Sequence, residues 1–343
     1  MQKITTNPYA NFYLNAAYKL GLEYSILNDK LGLARIFNES TSLDISANAL
    51  GVNTEISARL AGNKIKTSIL LREDQIPVPK FKRFRDTKKA MAYAMGKLKN
   101  KKRLVVKPIA GSLSVGITVN PSSEIQMKNA LSEAFEGNSS IMIEEYITGR
   151  HYRITVLDDQ IIAITERLAA NITTDGVKTI NKLIIKKNIE RRKMKLPEIV
   201  LRKRDLHYLK DMKINLNKVY KANRNIILQL GCDLDIGGER KRIHLENVPS
   251  ENLELFKKAL RKLNLRFAGI DYITPDIAIP YLKTKTAINE INSAPDSDVH
   301  FRDTYPGDNY AAEKILRQLF LAQDLPLHVA SDQRPVFATS ASL

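Results

Sequence analysis

A single cysteine, Cys232, stands in 343 residues. That excludes an intrachain disulfide and a cysteine-based zinc site. Tryptophan is absent, and the aromatic residues do not interleave with the basic clusters as a single-strand stacking platform requires. No apolar run approaches the length of a membrane span. The opening stretch from Met1 to Pro8 lacks the apolar centre of a signal peptide. These absences predict a cytoplasmic protein with no membrane partner. Zinc-finger spacing, an RNA-recognition aromatic motif and a long basic tail are missing as well. Acidic residues are few: 37 Asp and Glu against 54 Lys and Arg, a net charge of +17, with a pI near 9.7. Such a charge attracts nucleic acid, anionic lipid, nucleotide or an acidic substrate. Nucleic acid is an unlikely partner, because charge alone points to it. Hydrophobic content of 43% and a length of 343 residues suit a soluble globular chain of two or three units.

The first chemical signal lies near the C-terminal end. Thr286–Pro295 reads as a strand that carries Glu290 and Asn292 on one face. About twenty residues earlier, Phe267–Ile273 reads as a strand that displays Asp271. If the two pair, two carboxylates and an amide oxygen converge, the donor set that a hard cation such as Mg²⁺ takes. An acidic strand pair facing water is the competing reading, and these residues alone do not decide between them.

The remainder reads as alternating helices and strands. A helix over 9–21 ends at Gly21, and strands over 22–27 and 33–38 flank an Asn28-Asp29 turn. The spacing predicts one helix over 54–74, a linker from Pro77 to Phe84 and a helix over 86–99. A strand ending in Lys107 enters a loop with Gly111, Ser112, Ser114 and Gly116, which can close over phosphates through backbone N–H groups and hydroxyls, with an ordinary turn as the competing and commoner reading. Ser123 and Gln126 predict a capping box. Strands follow around an Asp158-Asp159 turn, and Arg153 and Arg167 become candidates for one active face, with plain surface charge as the alternative. A helix near 177–187 and an irregular basic insertion follow. Gly237-Gly238 sits in a loop that permits close backbone approach to a ligand. Amphipathic helices are predicted over 251–263 and 310–321.

In this order the motifs resemble the ATP-grasp ligases. The similarity is greatest to the ligase domain of cyanophycin synthetases and to the glutathione-synthetase domain of bifunctional glutamate–cysteine ligase/glutathione synthetases. It is carried by Gly62–Thr67 with Ile76–Pro79; Val106–Pro108 with the loop to Ile117; Ile143–Gly149 with Tyr152-Arg153; Glu166–Asn171 with Asp175-Gly176; Arg191-Arg192; Gly237-Gly238; Gly269–Asp271 with Thr274–Asp276; and Glu290–Pro295. The resemblance implies an α/β (α+β) chain with an ATP-grasp fold. Two α/β subdomains would clamp ATP beside a small N-terminal α/β unit. The implied divisions are 1–75, the N-terminal unit and helix; 76–150, the small subdomain; 151–321, the large subdomain with a basic insertion at about 186–230; and 322–343, a peripheral tail.

The resemblance also implies roles. Lys64 and Lys107 would neutralise ATP phosphates as point charges, under a flap carrying Ser112 and Ser114. Glu144, Glu145 and Ile147 would line the adenine edge, with His151 at the ribose position. Asp271, Glu290 and Asn292 would hold Mg²⁺, two ions bridging the phosphates, with Mn²⁺ as a substitute. Arg153 and Arg167 would be catalytic, stabilising an acyl phosphate or binding the acidic substrate. Arg191, Arg202, Gly237, Gly238 and Asp296 would border the substrate. The implied reaction joins a carboxylate to an amine on an amino acid or short acidic peptide, and the homo-oligomers common among such proteins are implied too. The sequence departs from the pattern in several places. Asp296 stands where glycine is usual, and His151 where a carboxylate is common. The stretch from Cys232 to Ile236 is less polar than in relatives, and the opening unit is shorter. Within these residues the resemblance extends neither to the Mur-ligase-like domain of cyanophycin synthetases nor to the glutamate–cysteine ligase domain of the bifunctional proteins. These departures and the high charge would suit a second reading, a non-catalytic relative that binds nucleotides or other anions.

Overall fold

The side-chain oxygen of Asn7 accepts from the N–H groups of Tyr9 and Ala10, and Pro8 occupies the first turn, where no donor is needed. This starts helix α1 (Pro8–Lys19). Gly21, at φ +70°, turns the chain out of it. The computed structural model describes residues 3–109, 116–194, 196–300 and 310–320. After α1 come β1 (Glu23–Asn28), β2 (Leu33–Phe37), β3 (Ser42–Ser46) and β4 (Ala49–Leu50), an antiparallel meander. The last two strands have no counterpart in the sequence reading.

The helix expected over 54–74 is two helices, α2 (Glu55–Ala61) and α3 (Lys64–Glu73). The break falls at Gly62-Asn63, where the Asn63 side chain caps α3 by accepting from the Lys66 N–H. The expected linker closes with a strand, β5 (Phe81–Phe84), which pairs with residues 141–144. Next are α4 (Thr87–Lys99), β6 (Leu104–Pro108), β7 (Thr118–Val119), α5 (Glu124–Phe135) and β8 (Ile141–Glu145). The sheet order is β5-β8-β6-β7, and Ala90, Ala94, Met127 and Leu131 pack onto Val106 and Ile143. Ser123 caps α5 as expected, but the Gln126 side chain accepts from Ser122 rather than from the cap residue's own N–H.

The second half opens with the hairpin β9 (Arg150–Leu157) and β10 (Gln160–Leu168). Its turn, Asp158-Asp159, has both residues at positive φ, the conformation of a tight two-residue hairpin. Then come β11 (Asn171–Thr173), α6 (Ile180–Lys193), α7 (Lys203–Asp211) and β12 (Asn225–Ile227). The stretch expected to be irregular thus holds a helix and a strand around its own core of Ile172, Ile180, Ile199, Leu209 and Leu228. The last described elements are β13 (Glu239–Ile243), α8 (Ser250–Lys262), β14 (Phe267–Thr274), β15 (Ala287–Asn292) and α9 (Tyr310–Phe320).

The large sheet runs β13-β10-β9-β14-β15, antiparallel throughout. One face packs on α8, where Phe256 and Tyr272 meet edge to face at 5.0 Å. Burial of each such side chain contributes about 1.5–3 kcal/mol. The opposite face carries polar side chains and is flanked by α1 and α9, which pack against each other. Helices on antiparallel sheets make this an α+β chain. Among the described residues no helix is long and apolar enough to cross a membrane.

Candidate active site

Residues opposite one another in antiparallel strands share a face and line up in rows across the sheet. One row runs Arg242, Thr165, Arg153, Asp271, Glu290, from edge to edge. A second holds Arg240, Arg167 and His151. Asn292 stands opposite Gly269, two residues along from the Asp271 position. The strands therefore pair as the sequence required, and the three oxygen donors share a face.

A bulge makes this alignment work. Asp271 pairs with Glu290 while Tyr272 pairs with Ile288, so Asn289 is the extra residue. Strict alternation would put Ile288 on the same face as Glu290. The bulge sends Ile288 into the core beneath α8 and leaves Glu290 on the polar face.

Asp271 is the hub. Arg153 Nε donates to its Oδ1 at 2.7 Å, and Arg167 Nη2 lies 3.1 Å from its Oδ2. Asp271 is only 9% exposed and Arg153 8%, so neither an acidic pair facing water nor plain surface charge describes them. Burial alone would raise the Asp271 pKa. Arg153 and Arg167 outweigh it and hold the carboxyl below the ordinary range. Burial likewise opposes the charge on Arg167, but Asp271 more than compensates and raises its pKa. Arg167 Nε is buried with no hydrogen-bond partner among the described residues, an exception to the usual pairing of buried donors. Lys64, the first residue of α3, reaches Glu290 Oε1 at 3.1 Å. The break before α3 is what brings its N-terminus to the edge strand.

Lys107 and Glu144 form a separate buried pair in the small sheet, Nζ to Oε1 2.7 Å, both with side chains at most 5% exposed. Glu144 has Phe81 on one side and Val105 on the other. The Glu145 N–H donates to Lys80 O, and Ile147 packs with Ile273 and Ala287. The exit of the small sheet therefore meets the large sheet beside the two rows. His151, opposite Arg167, has its pKa lowered by burial and then by the Arg167 charge. Ser112 and Ser114 lie outside the described residues.

The residues expected on the substrate side are spread out. Arg191 is 5% exposed and donates to Pro197 O and Gly238 O. Arg202 pairs with Asp233 at 3.1 Å. A Cβ on Gly237, at φ +104°, would come 2.5 Å from Ile199 Cα, and one on Gly238 would come 2.6 Å from Asp233 O. At these two glycines the chain passes close to itself. A cavity of about 220 Å³ opens beside them, lined among others by Lys187, Glu190, Arg191, Met194, Glu239 and Arg240. Arg240 connects it to the second row. The Cys232 thiol is pushed up to about 11 by burial and stays protonated.

The sequence reading missed His300, Arg240 and Arg242. The His300 ring bridges the hydroxyls of Thr155 and Thr165 at 2.7 and 2.8 Å, fully inside the protein. The alternation in Glu239–Ile243 is a signal that would have placed the two arginines on one strand face. Nothing in the local sequence marks His300.

The two antiparallel sheets are arranged as in the ATP-grasp fold. A bifunctional glutathione synthetase from Pasteurella multocida superposes with a TM-score of 0.64 at 21% identity, over 92% of this chain and 43% of that one. A sequence profile of the D-ala D-ala ligase C-terminus matches residues 70–216. Cyanophycin synthetase of Synechocystis is 28% identical over 275 residues, 77% of this chain and 31% of the relative. The glutathione biosynthesis bifunctional protein GshAB of Clostridium perfringens is 28% identical over 314 residues, 89% of this chain and 40% of the relative. The resemblance read from the motifs therefore holds. The chain spans less than half the length of these relatives.

Proposed function

We propose that the chain is an ATP-dependent carboxylate–amine ligase that works through an acyl phosphate and releases ADP. The observation that carries this is the Asp271 hub: two carboxylates and an amide oxygen share a sheet face with Arg153, Lys64 and the unsatisfied Nε of Arg167. A module that only bound anions would have no use for the oxygen donors in that row.

The donor set fits a hard cation: two carboxylates and a neutral amide oxygen. Asp271, Glu290 and Asn292 would hold Mg²⁺, as two ions, with Mn²⁺ as a substitute. Bound there, the metal would neutralise phosphate charge. Within the protein the two carboxylates already face three cations, Lys64, Arg153 and Arg167, so Asp271, Glu290 and Asn292 would hold the metal only together with the phosphates of ATP. ATP would lie between the small sheet, 76–150, and the large one, 151–321.

The substrate carboxylate oxygen attacks the γ-phosphorus. The new P–O bond forms as the β–γ bridge breaks, and ADP leaves with the bonding pair. The amine then attacks the acyl carbon, phosphate departs, and the amine proton passes to solvent. Lys64 and Lys107 hold phosphate oxygens. Arg153 and Arg167 face the oxygens on which charge develops, and being buried they exert this effect strongly. Catalysis by positioning needs no protein nucleophile, consistent with the inert thiol of Cys232. The cavity lined by Arg191 and Arg240 suits a small acidic substrate, an amino acid or a short peptide. Its cations Lys187, Arg191 and Arg240 outnumber Glu190 and Glu239.

The test is phosphate release from Mg-ATP against single amino acids and acidic dipeptides, with mass spectrometry of the products. A product lighter by one water than its two substrates is expected. Glu290→Ala should abolish it and leave the fold intact. Tight ATP binding with no release for any acceptor would favour the binding module instead.

A further inference from the structure

The loop that leaves β15 is where the chain departs from the glycine usual in its relatives, and the structure shows what the replacement touches. Asn48 Nδ2 donates to the Asp296 carboxylate at 2.7 Å and to Ala294 O at 2.9 Å. Asn48 sits in the tight β3–β4 turn beside Ala47, which is at φ +53°. A few residues on, Asn53 Nδ2 donates to Ser293 O at 3.0 Å and to Phe267 O at 2.7 Å. The Asn53 Oδ1 accepts from the N–H groups of Arg266 and Phe267, both at 3.0 Å. Two asparagines of the opening unit thus satisfy consecutive carbonyls at the exit of β15 and both backbone groups of Phe267 at the start of β14. Pro295 lies over Gly269, where a Cβ would come 2.6 Å from the proline Cβ. Five residues after Pro295, His300 anchors the same segment to β9 and β10.

β15 is an edge strand: among the described residues its one strand neighbour is β14, and on its outer side the Ile288 N–H donates to Pro77 O at 2.8 Å. It carries Glu290 and Asn292 and is bulged in the middle. An edge strand with a bulge has little of its own to fix its far end. We propose that the N-terminal unit is a positioning element for the site. The Asn48–Asp296 contact and the Asn53 tie hold the exit of β15, so that Glu290 and Asn292 stay opposite Asp271. Asp296 on this assignment is the acceptor of a latch, not a reader of substrate. Its effect on catalysis rests on the ligase reading; its effect on β15 does not.

The experiment is a charge swap on the full chain, read in two ways. Asn48→Asp sets a second carboxylate against Asp296, and like charges in contact repel. Amide hydrogen exchange over residues 287–296 should quicken about tenfold, and the Mg-ATP concentration giving half-maximal turnover should rise by a similar factor. Adding Asp296→Asn to it restores a donor–acceptor pair with the roles exchanged. Most of both losses should then be recovered. Asp296→Asn alone keeps an acceptor oxygen and should have the smaller effect. Asn48→Ala, which adds no charge, serves if the aspartate variant does not fold, and should shift both readouts in the same direction. Exchange in β15 unchanged in both Asn48 variants would overturn the latch. So would an Asp296→Asn variant that raises the KM of the carboxylate substrate alone and does not rescue Asn48→Asp. If the unaltered protein turns over no ATP, the ligase reading fails while the exchange data still judge the latch.

Discussion

Replacing Asp271 by asparagine removes one charge and almost no volume, and it strands two guanidinium groups. Arg153 loses an ionic acceptor at 2.7 Å and Arg167 one at 3.1 Å, in a setting where Asp271 is 9% exposed. Removing one partner of a buried ion pair costs about 3–5 kcal/mol. The asparagine oxygen still accepts one hydrogen bond, which puts the loss near the lower end, about 3 kcal/mol. In a chain of this size 1 kcal/mol moves the melting temperature by roughly 2 °C, so a fall of about 6 °C is expected. The variant also gains positive charge on the polar face. Added phosphate should therefore raise its melting temperature more than that of the unaltered protein. Mg-ATP turnover should drop by roughly a hundredfold or more, as when a group aimed at developing charge is lost. Thermal unfolding with and without phosphate, beside the phosphate-release assay, reads all three. A variant that melts with the parent, responds identically to phosphate and turns over normally would refute Asp271 as the charge hub.

Lys107→Met leaves Glu144 buried without its cation and should cost about 3–5 kcal/mol. The pair Lys107→Met/Glu144→Gln should recover most of that stability in denaturant titration without recovering ATP affinity, and a single variant as stable as the parent would exclude the buried pair. Burial, followed by the charges of Arg153, Arg240 and Arg167, holds the His300 pKa well below its ordinary value. The unfolded chain then binds a proton below about pH 6.5 that the folded chain refuses, so stability falls on acidification by up to about 1.4 kcal/mol per pH unit. His300→Gln should remove that slope, and parallel pH profiles would count against it. Gly237→Ala must fit a Cβ 2.5 Å from Ile199 Cα at φ +104°. It should destabilise by about 2 kcal/mol or more, visible in the melting temperature, and a neutral outcome would mean that the 196–200 segment yields easily. Mg²⁺ alone should leave the melting temperature unchanged while Mg-ATP raises it, because Lys64, Arg153 and Arg167 oppose a bare cation. A shift with the metal alone would contradict this.

What local chemistry decides could be read from the residues. The Asp158-Asp159 hairpin, the Ser123 cap and the amphipathic α8 each follow from a few neighbouring side chains. The convergence of Asp271 with Glu290 was legible because both strands announce themselves. What lay beyond reading depends on partners remote in the chain. The break at Gly62-Asn63 places Lys64 only because Glu290 waits for it. The bulge at Asn289 is invisible to alternation, and it decides which face Ile288 takes. β3 and β4 are short and polar outside and are held by pairing more than by composition. Helix α7 ends at Asp211 and rests on the fully buried Asp205 carboxylate, which accepts from the N–H groups of Arg202 and Leu230. A buried aspartate in a basic stretch reads as solvated surface until its partners are seen.

Helix α1 buries Phe12, Tyr13 and Leu14 in a cluster that includes Leu157, Phe267 and, on α9, Ile315, Leu316 and Phe320. Lys19 and Glu313, 294 residues apart, join the two helices at 2.9 Å. On a ribosome adding about 5–20 residues per second, α1 emerges roughly 15–60 s before the helix that covers it. Through much of that interval its apolar side has only the opening meander for cover, until the strands that carry Leu157 and Phe267 are made. The ends of this core meet last, so a chain halted before α9 would leave the cluster open and prone to aggregation.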